Sequence, residues 1–269
     1  MQVFSLKINT DRKNAYSQKQ NRENVNFCHH PDFIALEKKY EIIASNYFRR
    51  GGYYGSACEQ FSDVINTLKL FFDKNMKNKV TMLIGGIAKS QEPYSMLAVI
   101  KSLIGGKRIN NVLDLYTIDL QSKPDEKTIL LQSFYDTPWE PDFVPGSFVQ
   151  EKTVKYGYKR LHRYKVKHDI YKYLSSVYNN PNKALWETRI QEGIKDYSDE
   201  KFDIISVNNT LGYICDYETR MQTVRNIFDK LKPNGIFITD PHITQYQEVF
   251  SPDVCDEIYP GIYKKMTQI

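Results

Sequence analysis

The sequence predicts an α/β protein in which a doubly wound, mostly parallel sheet follows a small N-terminal helical module. Two observations carry this prediction. Short apolar runs alternate with amphipathic segments of helical spacing, and the runs end at glycines or polar turns. The strand-like runs are Val80 to Ile84, Asn111 to Asp119, Phe202 to Val207 and Ile236 to Thr239. Such an alternation favours parallel strands, because each helix carries the chain back across the sheet.

The first 78 residues are predicted to form the helical module. Residues 1–31 are rich in Asn, Gln, Lys and Arg, which is typical of a loosely ordered lead-in. Two amphipathic helices follow, one from Asp32 to about Ser45 and one from Glu59 to about Asp73.

The stretch that organises the second domain, residues 79–269, is its first strand, turn and helix. Val80 to Ile84 ends at Gly85 and Gly86, and Pro93 lies in the first turn of the helix that follows. A strand, a glycine turn and a helix N-terminus form a nucleotide cradle at the carboxyl end of a parallel sheet. Neither GxGxxG nor GxxxxGK[ST] is present, so an ordinary tight turn remains the alternative.

An acid ends the second predicted strand. Asp119 would lie where the hydroxyls of a ribose are held in open α/β sheets, or it would cap the following turn, and the residues leave both interpretations open. Its distance in sequence from Gly86 exceeds the roughly 20 residues usual in the dinucleotide fold, which counts against NAD.

An insertion is predicted at about residues 121–167, where four prolines interrupt the regular pattern. Its second half interleaves Lys and Arg with tyrosines, a composition that suits a solvated face, an acidic protein partner or nucleic acid. The solvated face is the commonest of these, so no nucleic-acid partner is expected. After the insertion, Asp216 is predicted to start the helix between the last two strands.

Composition excludes several classes of protein. The net charge of +5 is mildly basic, and the four cysteines lie far apart without a CxxC pair, so no metal site or disulfide framework is predicted. The adjacent Cys28, His29 and His30 are an unsuitable ligand set for one metal ion. No apolar run approaches the roughly 18 residues of a membrane span, and we expect a cytoplasmic protein without membrane insertion.

Several segments, taken in order, resemble the CheR-type, S-adenosylmethionine-dependent chemotaxis receptor methyltransferases. They are QEPYS (Gln91 to Ser95), FDIISVNNTLGYI (Phe202 to Ile214), ETR (Glu218 to Arg220), LKPNG (Leu231 to Gly235) and GIYKK (Gly261 to Lys265). SNYFRR (Ser45 to Arg50) is similar to the Thr-x-Phe-Phe-Arg segment that ends the family's N-terminal module. The resemblance spans about residue 33 to the C-terminus, including the place where the family inserts a small β-subdomain. It implies a class I, Rossmann-like methyltransferase fold with S-adenosylmethionine as cofactor.

The resemblance also implies a set of cofactor-binding residues. Gly85, Gly86 and Glu92 would line the cofactor turn, Asp119 would hold the ribose, and Asn209 would lie near the cofactor.

Two further residues take catalytic roles by the same resemblance. Tyr213 would face the transferred methyl group, and Arg49 would reach into the site from the helical module. By residue type alone, Tyr213 could instead pack between strand and helix, and Arg49 could pair on the surface. The chain departs from the family pattern at Ser90, Gln91 and Asn208, where the family has Gly, an acid and Arg.

The implied reaction is transfer of a methyl group to a protein glutamate, in chemoreceptors or in another pathway. A glutamate carboxylate is already ionised at neutral pH, since its pKa is about 4.3, so no general base is needed. The absence of GxSxG and HExxH motifs agrees with this chemistry. Two alternatives stay open: a methyltransferase of the same fold acting on a small molecule or another side chain, and a non-catalytic binding protein.

Overall fold

The computed structural model describes residues 54–73, 75–87, 91–125, 134–137, 148–156, 159–197, 201–208, 210–239, 249 and 253–266. Its helices are α1 (Tyr54–Phe71), α2 (Gln91–Leu103), α3 (Ile109–Val112), α4 (His168–Tyr178), α5 (Ile190–Asp196) and α6 (Tyr217–Lys230), and a 3-10 turn covers Leu211–Tyr213. Its strands are β1 (Val80–Gly85), β2 (Leu113–Ile118), β3 (Phe134–Thr137), β4 (Phe148–Tyr156), β5 (Lys159–Val166), β6 (Ala184–Leu185), β7 (Phe202–Val207), β8 (Leu231–Thr239), β9 (Cys255–Tyr259) and β10 (Ile262–Lys265).

The described residues contain a seven-stranded sheet in the order β6-β2-β1-β7-β8-β10-β9. The first five strands in this order run parallel, and β10 lies antiparallel between β8 and β9. The chain moves outward from β1 to β2 and β6, then returns to the other side of β1 through β7 and β8. This reversal is the doubly wound arrangement, and it confirms the predicted doubly wound, Rossmann-like α/β fold.

Helices cover both faces of the sheet. One core cluster joins α1, α2 and α4 to a face of the sheet through residues such as Leu68, Ile100 and Leu174. The other joins α5 and α6 to the opposite face through residues such as Ile194 and Val224. The alternation of side chains along β1 explains the division, because Met82 belongs to the first cluster and Leu83 to the second.

Local sequence signals account for the helix boundaries nearest the sheet. Glu92 and Pro93 lie in the first turn of α2, where an acid and a missing amide donor are both favourable. Gly105 and Gly106 follow that helix with φ angles of 59° and 91°. Asp216 caps α6 as predicted, since its side chain accepts a hydrogen bond from Thr219 N at 2.7 Å.

Several predicted boundaries were wrong. The helix predicted from Glu59 begins at Tyr54 and ends at Phe71. The second strand starts at Leu113, because the preceding four residues form α3. The last parallel strand begins at Leu231, and its register with β7 shifts between Phe202 and Ile204.

The insertion contains an antiparallel sheet of its own. The described strands β3, β5 and β4 pair in that order. Residue patterns alone predicted no strands there, whereas the family resemblance implied a small β-subdomain. The helix from Asp32 and the SNYFRR segment lie outside the described residues, and the division at residue 78 stays a prediction.

The amino edge of the sheet is held by charged contacts. Asp203 on β7 accepts hydrogen bonds from Thr81 N and from Lys232 Nζ, both at 2.8 Å. These contacts join β7 to β1 and β8. Asp114 on β2 pairs with Lys79 at 3.6 Å and also with Lys183.

The C-terminal hairpin also closes the end of α6. Lys265 Nζ donates hydrogen bonds to the carbonyl oxygens of Phe228 at 2.6 Å and Leu231 at 3.0 Å. Phe228 O also accepts a hydrogen bond from Leu231 N, so the lysine adds a second donor there and a further bond at Leu231, next to carbonyl groups that a helix end leaves without intrahelical partners.

Candidate functional site at the carboxyl edge of the sheet

The candidate site lies where the winding of the sheet reverses, between β1 and β7. Gly85 at the end of β1 pairs in register with Ile118 of β2 and with Val207 of β7. The residues that directly follow these strand ends therefore meet at one edge. They are Gly86, Asp119 and Asn208. Ligands of open α/β sheets bind in the crevice at this reversal point.

A carboxylate from α2 spans the reversal point. Ser206 Oγ donates a hydrogen bond to Glu92 Oε1 at 2.6 Å, and Asn208 Nδ2 donates to the same oxygen at 2.8 Å. Ser206 is fully buried. Glu92 lies at the N-terminus of α2, where the helix dipole favours a negative charge. The structure thus brings Glu92 to the predicted edge and fixes one of its oxygens from β7.

The sequence patterns did not identify the two partners of this carboxylate. Asn208 was noted only as a departure from the family pattern, and Ser206 was read as part of a buried strand. The signal that points to them is a polar residue at an inward position near the carboxyl end of a central strand. Such a residue must find a hydrogen-bond partner when it is buried.

Two buried polar atoms at this edge lack a hydrogen-bond partner in the part of the chain that the structure describes. They are Thr117 Oγ1 and Asn208 Oδ1. Thr117 precedes Asp119 by two residues, so the alternation along β2 places both on the same side of the strand. A buried polar group without a partner costs about 1–3 kcal/mol, and native proteins leave few of them. Unused hydrogen-bonding capacity here indicates a place for a ligand.

Asp119 is buried and forms the turn that was the alternative to a ribose contact. Its Oδ1 accepts a hydrogen bond from Gln121 N at 2.7 Å. Its backbone is fixed by Leu185 O at 2.9 Å and by Thr188 N at 3.0 Å. Turn capping and ligand binding are compatible, because a carboxylate has about four acceptor positions. The ribose role stays a prediction.

Internal packing accounts for both glycines of the first turn. A Cβ atom on Gly85 would lie 2.7 Å from Ile190 Cδ1. Gly86 has a φ of +73°, and a Cβ there would lie 1.9 Å from Thr210 Oγ1. Thr210 therefore occupies the space beside Gly86, and its hydroxyl donates to Asn208 O at 3.0 Å. The role of these glycines as cofactor contacts stays a prediction.

Tyr213 projects from the 3-10 turn that follows β7. Its side chain is 80% exposed, so the alternative that it packs between strand and helix is wrong. Arg220 Nε donates to Ile214 O at 2.8 Å, which ties the 3-10 turn to α6. The assignment of Tyr213 as a catalytic residue stays a prediction. Arg49 and Asn209 lie outside the described residues.

Two ionisable groups, at the end of α5 and at the start of α6, have pKa values shifted by their contacts. Burial raises the pKa of Tyr197 above its usual range, with smaller contributions from Tyr116 and Asp196, so Tyr197 stays protonated. Its hydroxyl lies 3.0 Å from the carbonyl oxygens of Thr117 and Lys183 and links α5 to β2 and β6. The hydrogen bonds from Thr219 lower the pKa of the Asp216 carboxyl at the start of α6.

The described residues include no group of three or more His, Cys, Asp or Glu residues that could hold a metal ion. Their helices include none that is both long and apolar enough to cross a membrane.

Comparisons with known proteins give weak likenesses. No protein-family profile matches the chain. No curated protein matches it either. A S-adenosylmethionine-dependent methyltransferase from Clostridium acetobutylicum ATCC 824 is similar over 76% of this chain and 57% of its own, with 13% identity and a TM-score of 0.35.

Two further solved structures are similar to the same degree. A cyclopropane-fatty-acyl-phospholipid synthase-like protein from Lactobacillus casei ATCC 334 matches 77% of this chain and 60% of its own, with 11% identity and a TM-score of 0.34. The plantazolicin methyltransferase BpumL, solved with SAH and a pentazolic desmethylPZN analog, matches 77% and 59%, with 15% identity and a TM-score of 0.29. The chain thus spans about three-fifths of the length of these proteins. At such low identities and TM-scores, the likenesses carry no argument about activity, and the fold assignment rests on the sheet topology.

Proposed function

We propose that this protein is an S-adenosylmethionine-dependent methyltransferase whose cofactor binds at the carboxyl edge between β1 and β7. The observation that carries the proposal is the unfilled hydrogen-bonding capacity at the reversal point: Asn208 Oδ1 is buried without a partner among the described residues, while Nδ2 of the same amide donates to the Glu92 carboxylate. A fold of this type binds ligands at that position. The resemblance in ordered sequence segments supports methyl transfer among the activities of the fold.

The residues present suit this cofactor chemically. S-adenosylmethionine supplies, when bound, a methyl group on a positively charged sulfur. The Glu92 carboxylate favours a cationic ligand, and Asp119 offers acceptor oxygens for hydroxyl groups at the end of the neighbouring strand. The exposed hydroxyl of Tyr213 is available to orient an acceptor.

The finer proposal concerns the acceptor. The CheR resemblance supports a protein glutamate, in a receptor cytoplasmic region or another protein, as the group that receives the methyl. A carboxylate acceptor fits the described site because it needs no base, and the chain contributes positioning and exclusion of water. Arg49 and Tyr213 are the residues proposed to hold and orient that carboxylate.

Calorimetric titration with S-adenosylhomocysteine tests the cofactor proposal. We expect saturable binding at one site, and Asp119→Ala should weaken it by one charge-assisted hydrogen bond, about 1.5–3 kcal/mol. An unchanged affinity in this variant would remove the ribose assignment. Lack of binding to the wild-type protein would remove the methyltransferase proposal.

The acceptor proposal has a separate chemical test. The protein is incubated with radiolabelled S-adenosylmethionine and chemoreceptor cytoplasmic fragments, and the labelled product is treated with base. Release of volatile label supports a carboxyl ester. A base-stable product would instead favour a small molecule or another side chain as acceptor.

A further inference from the structure

Among the described residues, only the nitrogen of the Asn208 side-chain amide has hydrogen-bond partners, and its oxygen has none. Its Nδ2 donates to Glu92 Oε1 at 2.8 Å and lies 3.2 Å from Ser206 Oγ, whereas its Oδ1 is buried and has no partner among the described residues. The orientation of the amide is fixed by chemistry, because the reverse orientation would set Oδ1 against the carboxylate oxygen. While Nδ2 donates to Glu92, Asn208 Oδ1 therefore remains an acceptor without a partner among the described residues.

The backbone holds Asn208 in place as well. Thr210 Oγ1 donates to Asn208 O at 3.0 Å, and the side chain of Thr210 lies against Gly86. Asn208 directly follows β7, which is paired with β1 up to its last residue. A side chain fixed by both its amide and its backbone cannot turn away to find another donor.

The charge and the hydrogen-bonding groups around Glu92 and Asn208 indicate which group of a ligand would bind there. Glu92 supplies a negative charge, the hydroxyl hydrogen of Ser206 is used by Glu92, and Asn208 Oδ1 has no donor in the described part of the chain. The complementary group carries N–H donors and a positive charge. S-adenosylmethionine has one primary amine of this kind, on its amino-acid end, and its adenine amine is neutral.

We propose that Asn208 is a specificity-determining residue whose Oδ1 accepts a hydrogen bond from the primary amine of the cofactor, beside the charge of Glu92. This inference rests on the proposed function and assigns one contact of its binding site, that of Asn208 with the amine of the cofactor. It predicts that the protein distinguishes ligands by the presence of the amine.

The test compares two ligands on the full-length protein by calorimetry. One is S-adenosylhomocysteine and the other is its deaminated analogue, which keeps the carboxylate and the adenosine. Wild-type protein should bind the deaminated ligand at least about tenfold more weakly, since tenfold corresponds to about 1.4 kcal/mol and one charge-assisted bond exceeds that. In Asn208→Leu, the ratio of the two affinities should shrink several-fold, because only Glu92 then meets the amine.

A ratio of affinities separates this role from a structural one. A variant that merely loosened the fold would weaken both ligands equally and leave the ratio unchanged. The matched control is Asn226→Leu on α6, where Asn226 accepts a hydrogen bond from Gln222 away from the site. Its ratio should equal that of the wild type. If Asn208→Leu does not fold, Asn208→Ala gives the same comparison.

Each outcome of this comparison either supports or contradicts the assignment of Asn208. Equal affinities of the wild-type protein for the two ligands, or an unchanged ratio in the Asn208 variants, would overturn the assignment of Asn208 while the cofactor proposal stands. No binding of S-adenosylhomocysteine to wild-type protein would overturn the proposed function and this inference with it.

Discussion

The two edges of the seven-stranded sheet differ in whether their polar side chains have hydrogen-bond partners. At the amino edge, the Asp203 carboxylate accepts hydrogen bonds from Thr81 N and Lys232 Nζ. At the carboxyl edge, Thr117 Oγ1 and Asn208 Oδ1 are buried without a partner among the described residues. The protein therefore supplies the hydrogen bonds of Asp203 at the amino edge itself, whereas the unpaired atoms at the carboxyl edge can bind a ligand.

The difference follows from the parallel arrangement. The helices that connect parallel strands start above the carboxyl edge, so their first turns and the preceding loops converge there. At the amino edge the strands begin, and charged side chains such as Lys232 can reach across to a neighbour. Stability and binding thus lie at opposite edges, which single substitutions can test.

The largest expected effect concerns the contact between the first turn and the β7 loop. Gly86→Ala should lower the free energy of unfolding by about 3 kcal/mol, because an L-residue at positive φ costs about 1–2 kcal/mol and overpacking adds to it. The added Cβ would lie 1.9 Å from Thr210 Oγ1. Urea denaturation gives the value.

A second glycine provides the matched control for this substitution. Gly106 has a φ of +91°, but a Cβ there would meet nothing within 4 Å. Gly106→Ala should therefore show the backbone cost alone, about 1–2 kcal/mol. Equal losses in the two variants would mean that Thr210 does not restrict the turn.

The next effect concerns the amino edge. Asp203→Ala should destabilise the protein by about 2 kcal/mol, because it leaves Thr81 N without its acceptor and removes a charge-assisted hydrogen bond. Asp203→Asn, which retains an acceptor, should lose less. Both are measured by urea denaturation, and both should bind S-adenosylhomocysteine as the wild type does. Weakened binding in either would show that the two edges are not separate.

The corresponding change at the carboxyl edge should cost little. Asn208→Leu removes a hydrogen bond to Glu92 but also removes a buried carbonyl without a partner, so the free energy of unfolding should change by less than about 1 kcal/mol. The measurement is the same urea titration. A loss as large as that of Asp203→Ala would mean that Asn208 serves the fold, as the charged residues of the opposite edge do.

The smallest effect concerns the surface ion pair between α2 and α4. Asp169 and Lys101 lie 2.9 Å apart. Partial burial raises the pKa of Asp169, but the hydrogen bond and charge of Lys101, together with backbone donors, outweigh it and lower the pKa below the ordinary value of 3.8. A lowered carboxyl pKa contributes stability above that value, and the contribution is lost as the pH falls through the folded-state pKa.

Comparison of wild-type protein with Asp169→Asn checks this contribution. At pH 7 the wild type should be more stable by about 0.5 kcal/mol, a typical value for a half-exposed pair. The difference should vanish as the pH falls well below 4. A difference that persists in acid would assign the stabilisation to packing instead of charge.

Local signals predicted much of the fold. The glycine turn after β1, the acid and proline in the first turn of α2 and the cap at Asp216 each follow from a few neighbouring residues. The two-residue β6 and the hairpin of β9 and β10 were missed, because short strands depend on partners far away in sequence.

The site was predictable only in part for the same reason. Glu92 was singled out by a motif, but its partner Asn208 is separated from it by 116 positions and is defined by sheet pairing. Likewise, Gly86 was predicted to line the cofactor turn, but its close approach to Thr210 of the β7 loop is a long-range contact that neighbouring residues do not indicate. Sequence patterns placed the edge, and long-range packing determined which atoms there remain unused.

The lysine that closes α6 has a consequence for the order of assembly. Lys265 comes from the last described strand, yet it donates to the end of a helix whose final residue is Lys230. These two hydrogen bonds cannot form until the hairpin has docked on β8. Contacts so distant along the chain form late and slowly. We therefore expect the half of the sheet beyond β7 to fold as one cooperative unit together with α6. No stable intermediate should contain the fully formed helix without the hairpin.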